Sequence, residues 1–89
     1  MKIGRVTGSV VSTQKDQNLV GFKLLIVKQL NSKGEDIGDE EVAVDIFGAG
    51  VGELVLLCHG SSARVLWENQ KAPIDLAVVG IIDSLETNQ

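Results

Sequence analysis

Val42-Ala43-Val44-Asp45-Ile46-Phe47-Gly48-Ala49-Gly50-Val51-Gly52-Glu53-Leu54-Val55-Leu56-Leu57-Cys58-His59 decides how this chain folds. Val42, Val44 and Ile46 alternate with their neighbours, which is the period-2 signature of a strand over 42–47. Three glycines then fall within 48–52, a tight turn of a kind that favours glycine. Residues 53–59 follow as a second strand with an unbroken apolar centre, Leu54 to Leu57. Strand, glycine turn, strand is a β arrangement, and nothing in it keeps a helical period.

The flanking sequence extends the pattern. Residues 2–13 read as a strand rich in Val, Ile and Thr, with Gly4 and Gly8 suited to a sharp bend, as at a barrel corner. Residues 14–21 are polar and turn at Asn18 and Gly21, and 22–30 form another strand centred on Leu24-Leu25-Ile26-Val27. Residues 31–41, with Gly34, Gly38 and five acids, read as a loop or mobile hairpin. Gly60-Ser61-Ser62 offers a serine cap, and Ala63, Leu66 and Trp67 recur at helical spacing, so a short helix is expected before Pro73. Residues 76–85 form the last strand, and 86–89 a polar tail expected to fray. The sum is an all-β domain of about five strands and one short helix, and closing such a sheet into a small barrel removes its edges.

Composition sets the limits. The chain has 89 residues and 9.5 kDa, which is one domain, 1–89. Apolar residues make up 44% but aromatics only 3%, so the core must be built from aliphatic side chains. One cysteine allows no internal disulfide and no Cys-based zinc site, which leaves oligomerisation as the remaining common support for a small fold. Leu24 to Val27, Leu54 to Leu57 and Ala77 to Val79 are apolar on both faces. An antiparallel strand exposed on one side should alternate, so some cover is expected from another subunit. Twelve acids against eight scattered bases, and three aromatics, argue against nucleic acid as a partner. No apolar run reaches the roughly 18 residues of a membrane helix, and Met1 to Arg5 opens an alternating segment, so no membrane role is expected and a cytosolic protein is.

No constellation for catalysis, cofactor or metal emerges. Gly48-Ala49-Gly50-Val51-Gly52 suggests a phosphate loop, but the spacing is G-x-G-x-G and a strand follows where a helix is needed. A tight turn, or a close contact with a neighbouring subunit or pore rim, is the better reading. Cys58 and His59 are adjacent on a strand and point to opposite faces, so they make no nucleophile–base pair. The acids Glu35, Asp36, Asp39, Glu40 and Glu41 lack a calcium-loop pattern and read as solvated. Asp45 and Asp75 border apolar strands, where a carboxylate must be paired or hydrogen-bonded, and Arg64 is a candidate salt-bridge partner for either.

Taken in order, several short runs resemble a known family. They are Lys2-Ile3-Gly4-Arg5-Val6, Val10-Val11-Ser12-Thr13-Gln14-Lys15, Val42-Ala43-Val44-Asp45, Gly48 to Leu56, Gly60-Ser61-Ser62-Ala63-Arg64 and Asp75 to Asp83. This ordered set is similar to the EutN/CcmL family, the vertex proteins of bacterial microcompartments, over about residues 1–85. It most resembles the metabolosome branch, the propanediol-utilisation member above all. The resemblance implies a small barrel related to the OB fold and a cyclic homopentamer. Such a pentamer would cap the fivefold vertices of a polyhedral shell in the cytoplasm, whose facets are hexameric shell proteins. Its role would be structural, with no enzyme activity and no cofactor. Gly48, Ala49, Gly50, Gly60, Ser61, Ser62 and Arg64 are then candidates for the subunit interface or pore rim. A bulky residue at 49 or 50 is expected to weaken assembly while leaving the monomer folded.

Two other readings share the fold class. A co-chaperonin-like ring would need an apolar mobile loop, and residues 31–41 are acidic. A single-stranded nucleic-acid-binding OB domain would need positive charge and aromatic platforms.

Overall fold

The computed structural model describes residues 1–12, 17–19, 21–60 and 75–87. Among them run five strands: β1 Lys2–Val10, β2 Lys23–Leu30, β3 Asp36–Asp45, β4 Leu54–His59 and β5 Leu76–Ile82. They close into a barrel in the order β1-β2-β3-β5-β4. All neighbours are antiparallel except β3 and β5, which pair in parallel through Val44 and Ala77.

Alternation places one set of side chains inside. Val6, Leu25, Val27, Ala43, Val55, Leu57, Leu76 and Val78 form the barrel core, joined by Ala49 from the loop after β3. With almost no aromatic bulk, the walls must come close together. Gly4 makes that possible: a Cβ there would lie 2.6 Å from Leu57 Cδ1 and 3.1 Å from the Lys28 carbonyl oxygen. The bend expected from the β1 glycines is real, since the β1–β2 register shifts between Val6 and Gly8.

Two expectations need correction. The strand β1 stops at Val10 and β5 at Ile82, both short of the lengths expected from apolar pattern. Residues 36–41 are strand, not loop: β3 begins at Asp36, and Glu40 and Glu41 pair with Lys28 and Val27 of β2. Acidic composition concealed a strand whose residues here are exposed and lack the alternation that marks a buried face. The turn itself is short. The Asn31 side-chain oxygen accepts from the N–H groups of Lys33 and Glu35, its amide nitrogen donates to Glu35 Oε1, and Gly34 takes a φ of 82°.

The outer faces also carry apolar side chains. Leu24, Val44, Ala77 and Cys58 lie side by side across β2, β3, β5 and β4. Leu19, from a single 3-10 turn at Gln17–Leu19, and Phe22 pack in the same cluster. The chain therefore covers part of its own outer surface with the segment that enters β2. Cys58 sits in that cluster, partly buried, as a small hydrophobe. The short helix expected after Gly60 lies outside the described residues.

Candidate functional site

The loop between β3 and β4 is built around one carboxylate. Asp45 ends β3 and is only 2% exposed. Its Oδ1 accepts the Phe47 N–H at 2.8 Å, and its Oδ2 accepts those of Gly48 at 3.0 Å and Ala49 at 2.8 Å. Gly48 turns the chain with a φ of 81°, which L side chains rarely adopt. That turn drops the Ala49 methyl into the barrel core, where it is fully buried. Lys23 Nζ donates to the Ala49 carbonyl at 3.3 Å.

A second carboxylate fixes the far side. Glu53 Oε1 accepts the Gly50 N–H at 2.6 Å, and the Glu53 N–H donates to the Gly50 carbonyl at 3.1 Å. Gly52, with a φ of 92°, occupies the third position of that turn. Its N–H donates to the Val6 carbonyl, and the Val6 N–H donates back to the Glu53 carbonyl, so the loop is laced to β1.

These bonds decide what the glycine loop can do. A phosphate would need its consecutive backbone N–H groups. Those of residues 47 to 50 are all engaged by the chain's own Asp45 and Glu53. The loop is structural. Ala49 is likewise part of the monomer core, so the expectation that a bulky residue there would spare the monomer fold is corrected. Gly48 is open to solvent, and Gly50 is half-buried against Glu53.

Gly60 and Asp75 lie at the other end of β4, where β5 begins. The Gly60 N–H donates to the Asp75 carbonyl at 2.9 Å, so the chain leaves and rejoins the barrel at one point. The Asp75 residue is exposed. Ser61, Ser62 and Arg64 lie outside the described residues, and with them the pairing of Arg64 with Asp45 or Asp75. Asp45 meets its need for partners through backbone N–H groups.

Some polar pairs were not foreseen from sequence. His59 Nε2 lies 3.2 Å from Glu41 Oε2, while Cys58 packs on the other face of β4. Arg5 lies 3.4 Å from Asp36 Oδ1 and donates to the Gly34 carbonyl, tying β1 to the β2–β3 turn. Both pairs join residues more than fifteen apart in sequence, so no local spacing announces them. The exposed apolar side chains matter more. Val42, Ile46 and Phe47 are 52%, 55% and 50% exposed, on β3 and directly after it.

Among the described residues no three His, Cys, Asp or Glu side chains group as a metal site. What the arrangement offers is rigid shape with apolar surface.

Comparison with known proteins agrees with that shape. Residues 1–83 match the family described as Ethanolamine utilisation protein EutN/carboxysome. The chain is 55% identical to the bacterial microcompartment shell vertex protein PduN of Salmonella typhimurium, over 96% of this chain and 98% of that one. It superposes with a TM-score of 0.89 on the GrpN pentameric microcompartment shell protein from Rhodospirillum rubrum, at 48% identity, covering 99% of this chain and 100% of that one. Gloeobacter violaceus CcmL gives a TM-score of 0.90 at 43% identity, covering 99% of this chain and 91% of that one. With a family match across nearly its whole length and a closed five-stranded barrel to carry it, this chain belongs to the EutN/CcmL family.

Proposed function

We propose that this chain is a structural subunit of a bacterial microcompartment shell, forming pentamers that cap its fivefold vertices. The observation that carries this reading is similarity at 55% identity, across 96% of the chain, to a protein named as a shell vertex protein. The mechanism is geometric. Hexagonal layers tile a plane, and closing them into a polyhedron needs fivefold defects. A head-to-tail contact whose rotation closes after five copies supplies such a defect.

The chemistry of the loop suits this role. Asp45 and Glu53 are spent on holding backbone, which favours a shell component over an enzyme. The partners in this reading are hexameric shell proteins, and the location is the shell within the cytoplasm. Co-expression of hexameric shell proteins with and without this chain tests it. Closed particles are expected only when the chain is present; equal closure without it would overturn the reading.

A further inference from the structure

The strand β3 has 10 residues, long against a usual strand of about 5–6. Its first part has a neighbour on one side only. There β2 pairs with it, through Leu30 opposite Asp36, Lys28 opposite Glu40 and Val27 opposite Glu41. On the other side, among the described residues, β5 pairs with β3 at Val44 alone, through Ala77. Every residue from Asp36 to Val42 is exposed. A strand edge in that state presents backbone N–H and C=O groups that can template another strand. Ile37 and Val42, 53% and 52% exposed, would add apolar contact to such a pairing.

We infer that residues 36–41 form a guarded edge, in which a bulge at Ile37-Gly38-Asp39 and the carboxylates of Asp36, Asp39, Glu40 and Glu41 keep a second copy of this chain from adding to the sheet. The inference goes beyond the vertex reading and concerns an association that the chain prevents, not one that it makes. Such a guard matters to any chain that works by assembling. Edge-to-edge addition leaves a new free edge after each step, so it grows into open filaments where a closed assembly is needed.

Two independent features make the guard. The first is the backbone. Between the Leu30–Asp36 and Lys28–Glu40 pairs, Ile37, Gly38 and Asp39 stand against Gln29 alone. Extra residues bend a strand and break the even spacing that an incoming ladder of hydrogen bonds needs. The second feature is charge. Asp36, Asp39, Glu40 and Glu41 are acids within a run of exposed residues. A parallel in-register pair would set each acid against its own copy. An antiparallel pair centred on Glu40 would set Glu40 against itself and Asp39 against Glu41. Like charges directly opposite one another destabilise a strand pair. Arg5 meets Asp36 at 3.4 Å and His59 meets Glu41 at 3.2 Å. Among the described residues Asp39 and Glu40 have no ion pair, so their charge is left to act on an approaching copy.

The test compares the full chain with edge variants by light scattering and thioflavin T fluorescence. Asp39→Thr with Glu40→Thr removes the two unpaired charges and supplies β-branched side chains suited to strand pairing. Deletion of Gly38 and Asp39 together with Glu40→Thr also brings β3 into even register with β2. Asp83→Thr with Glu86→Thr changes net charge by the same amount at two exposed acids outside the strands, and should behave as wild type. The concentration at which thioflavin-positive polymers form is expected to fall about tenfold in the Asp39/Glu40 variant. It should fall further in the deletion variant. Asp39→Lys with Glu40→Lys should stay soluble alone, because like charges meet again. Circular dichroism melts check that each variant is folded at the assay temperature; if the deletion variant is not, the substitutions decide. Wild-type thresholds in the Asp39/Glu40 threonine variant, equal polymer formation by the Asp83/Glu86 control, or polymers from the lysine variant alone would each overturn the guard and leave the vertex reading standing.

Discussion

The Ala49 N–H meets Asp45 Oδ2 at 2.8 Å, and that single bond joins a buried carboxylate to a methyl group sunk in the barrel core. The loop between β3 and β4 is thereby both a cap on the strand and a plug for the barrel. Its two functions are coupled, because Asp45 also holds Phe47 and Gly48. Loss of the carboxylate should release plug and surface together.

Asp45→Ala strips three backbone N–H groups of their buried acceptor, that of Ala49 out of reach of water and those of Phe47 and Gly48 only partly so. The expected loss is about 3 kcal/mol, since an unsatisfied buried donor costs about 1–3 kcal/mol. Asp45→Asn should also destabilise, because its amide group brings donors where only acceptors fit. Urea denaturation at one fixed protein concentration measures both, as association would otherwise shift the midpoint. Wild-type stability in either variant would refute the role given to Asp45.

Ala49→Leu overfills a position with no exposure among Val6, Leu25 and Val55. Destabilisation of about 1–3 kcal/mol is expected, visible in the monomer as well as in any assembly. The check is amide hydrogen exchange on the isolated subunit. Unchanged protection of β1 and β4 alongside a lost oligomer would return Ala49 to the surface role that its small size suggests.

Gly4→Val places a branched side chain where even a Cβ is 2.6 Å from Leu57 Cδ1 and 3.1 Å from a backbone oxygen. The wall between β1 and β4 has to open, at about 1–3 kcal/mol or more. Gly8→Ala is the control, because its Cβ would come no nearer than 3.4 Å to Ile26. Thermal melts should therefore rank Gly4→Val well below Gly8→Ala; equal melting would remove the close-approach argument.

Asn31→Ala deletes the side chain that caps the β2–β3 turn with bonds to Lys33, Glu35 and the Glu35 carboxylate. The turn is exposed, so water replaces part of what is lost, and about 1 kcal/mol is expected. Proteolysis of the 31–35 turn should rise, measured by the rate of cleavage after Lys33. An unchanged rate would mean that Gly34 and the strand pairing hold the turn without it.

Much of this fold is legible in the residues themselves. The unbroken apolar runs Leu24 to Val27 and Leu54 to Leu57, each bounded by turn residues, mark strands that are apolar on both faces. The ordered motifs from Lys2 to Asp83 place the chain in its family, as the match over residues 1–83 bears out. The extent of β3 was not legible. Asp36 to Glu41 show no hydrophobic pattern, and only pairing with β2 makes them a strand.

The candidate site shows the division most clearly. Sequence alone determined an aliphatic, unstapled barrel with more apolar strand surface than one core can use, because side-chain type and period are local properties. It also singled out the glycine run at 48–52. Tertiary structure decided which apolar surface the chain covers for itself, with Leu19 and Phe22 over Val44 and Ala77, and which it leaves exposed, at Val42, Ile46 and Phe47. It also turned Ala49 inward and gave Asp45 to the backbone. The reason is that burial depends on closure: which face of a strand meets solvent is fixed only when distant segments pack against it.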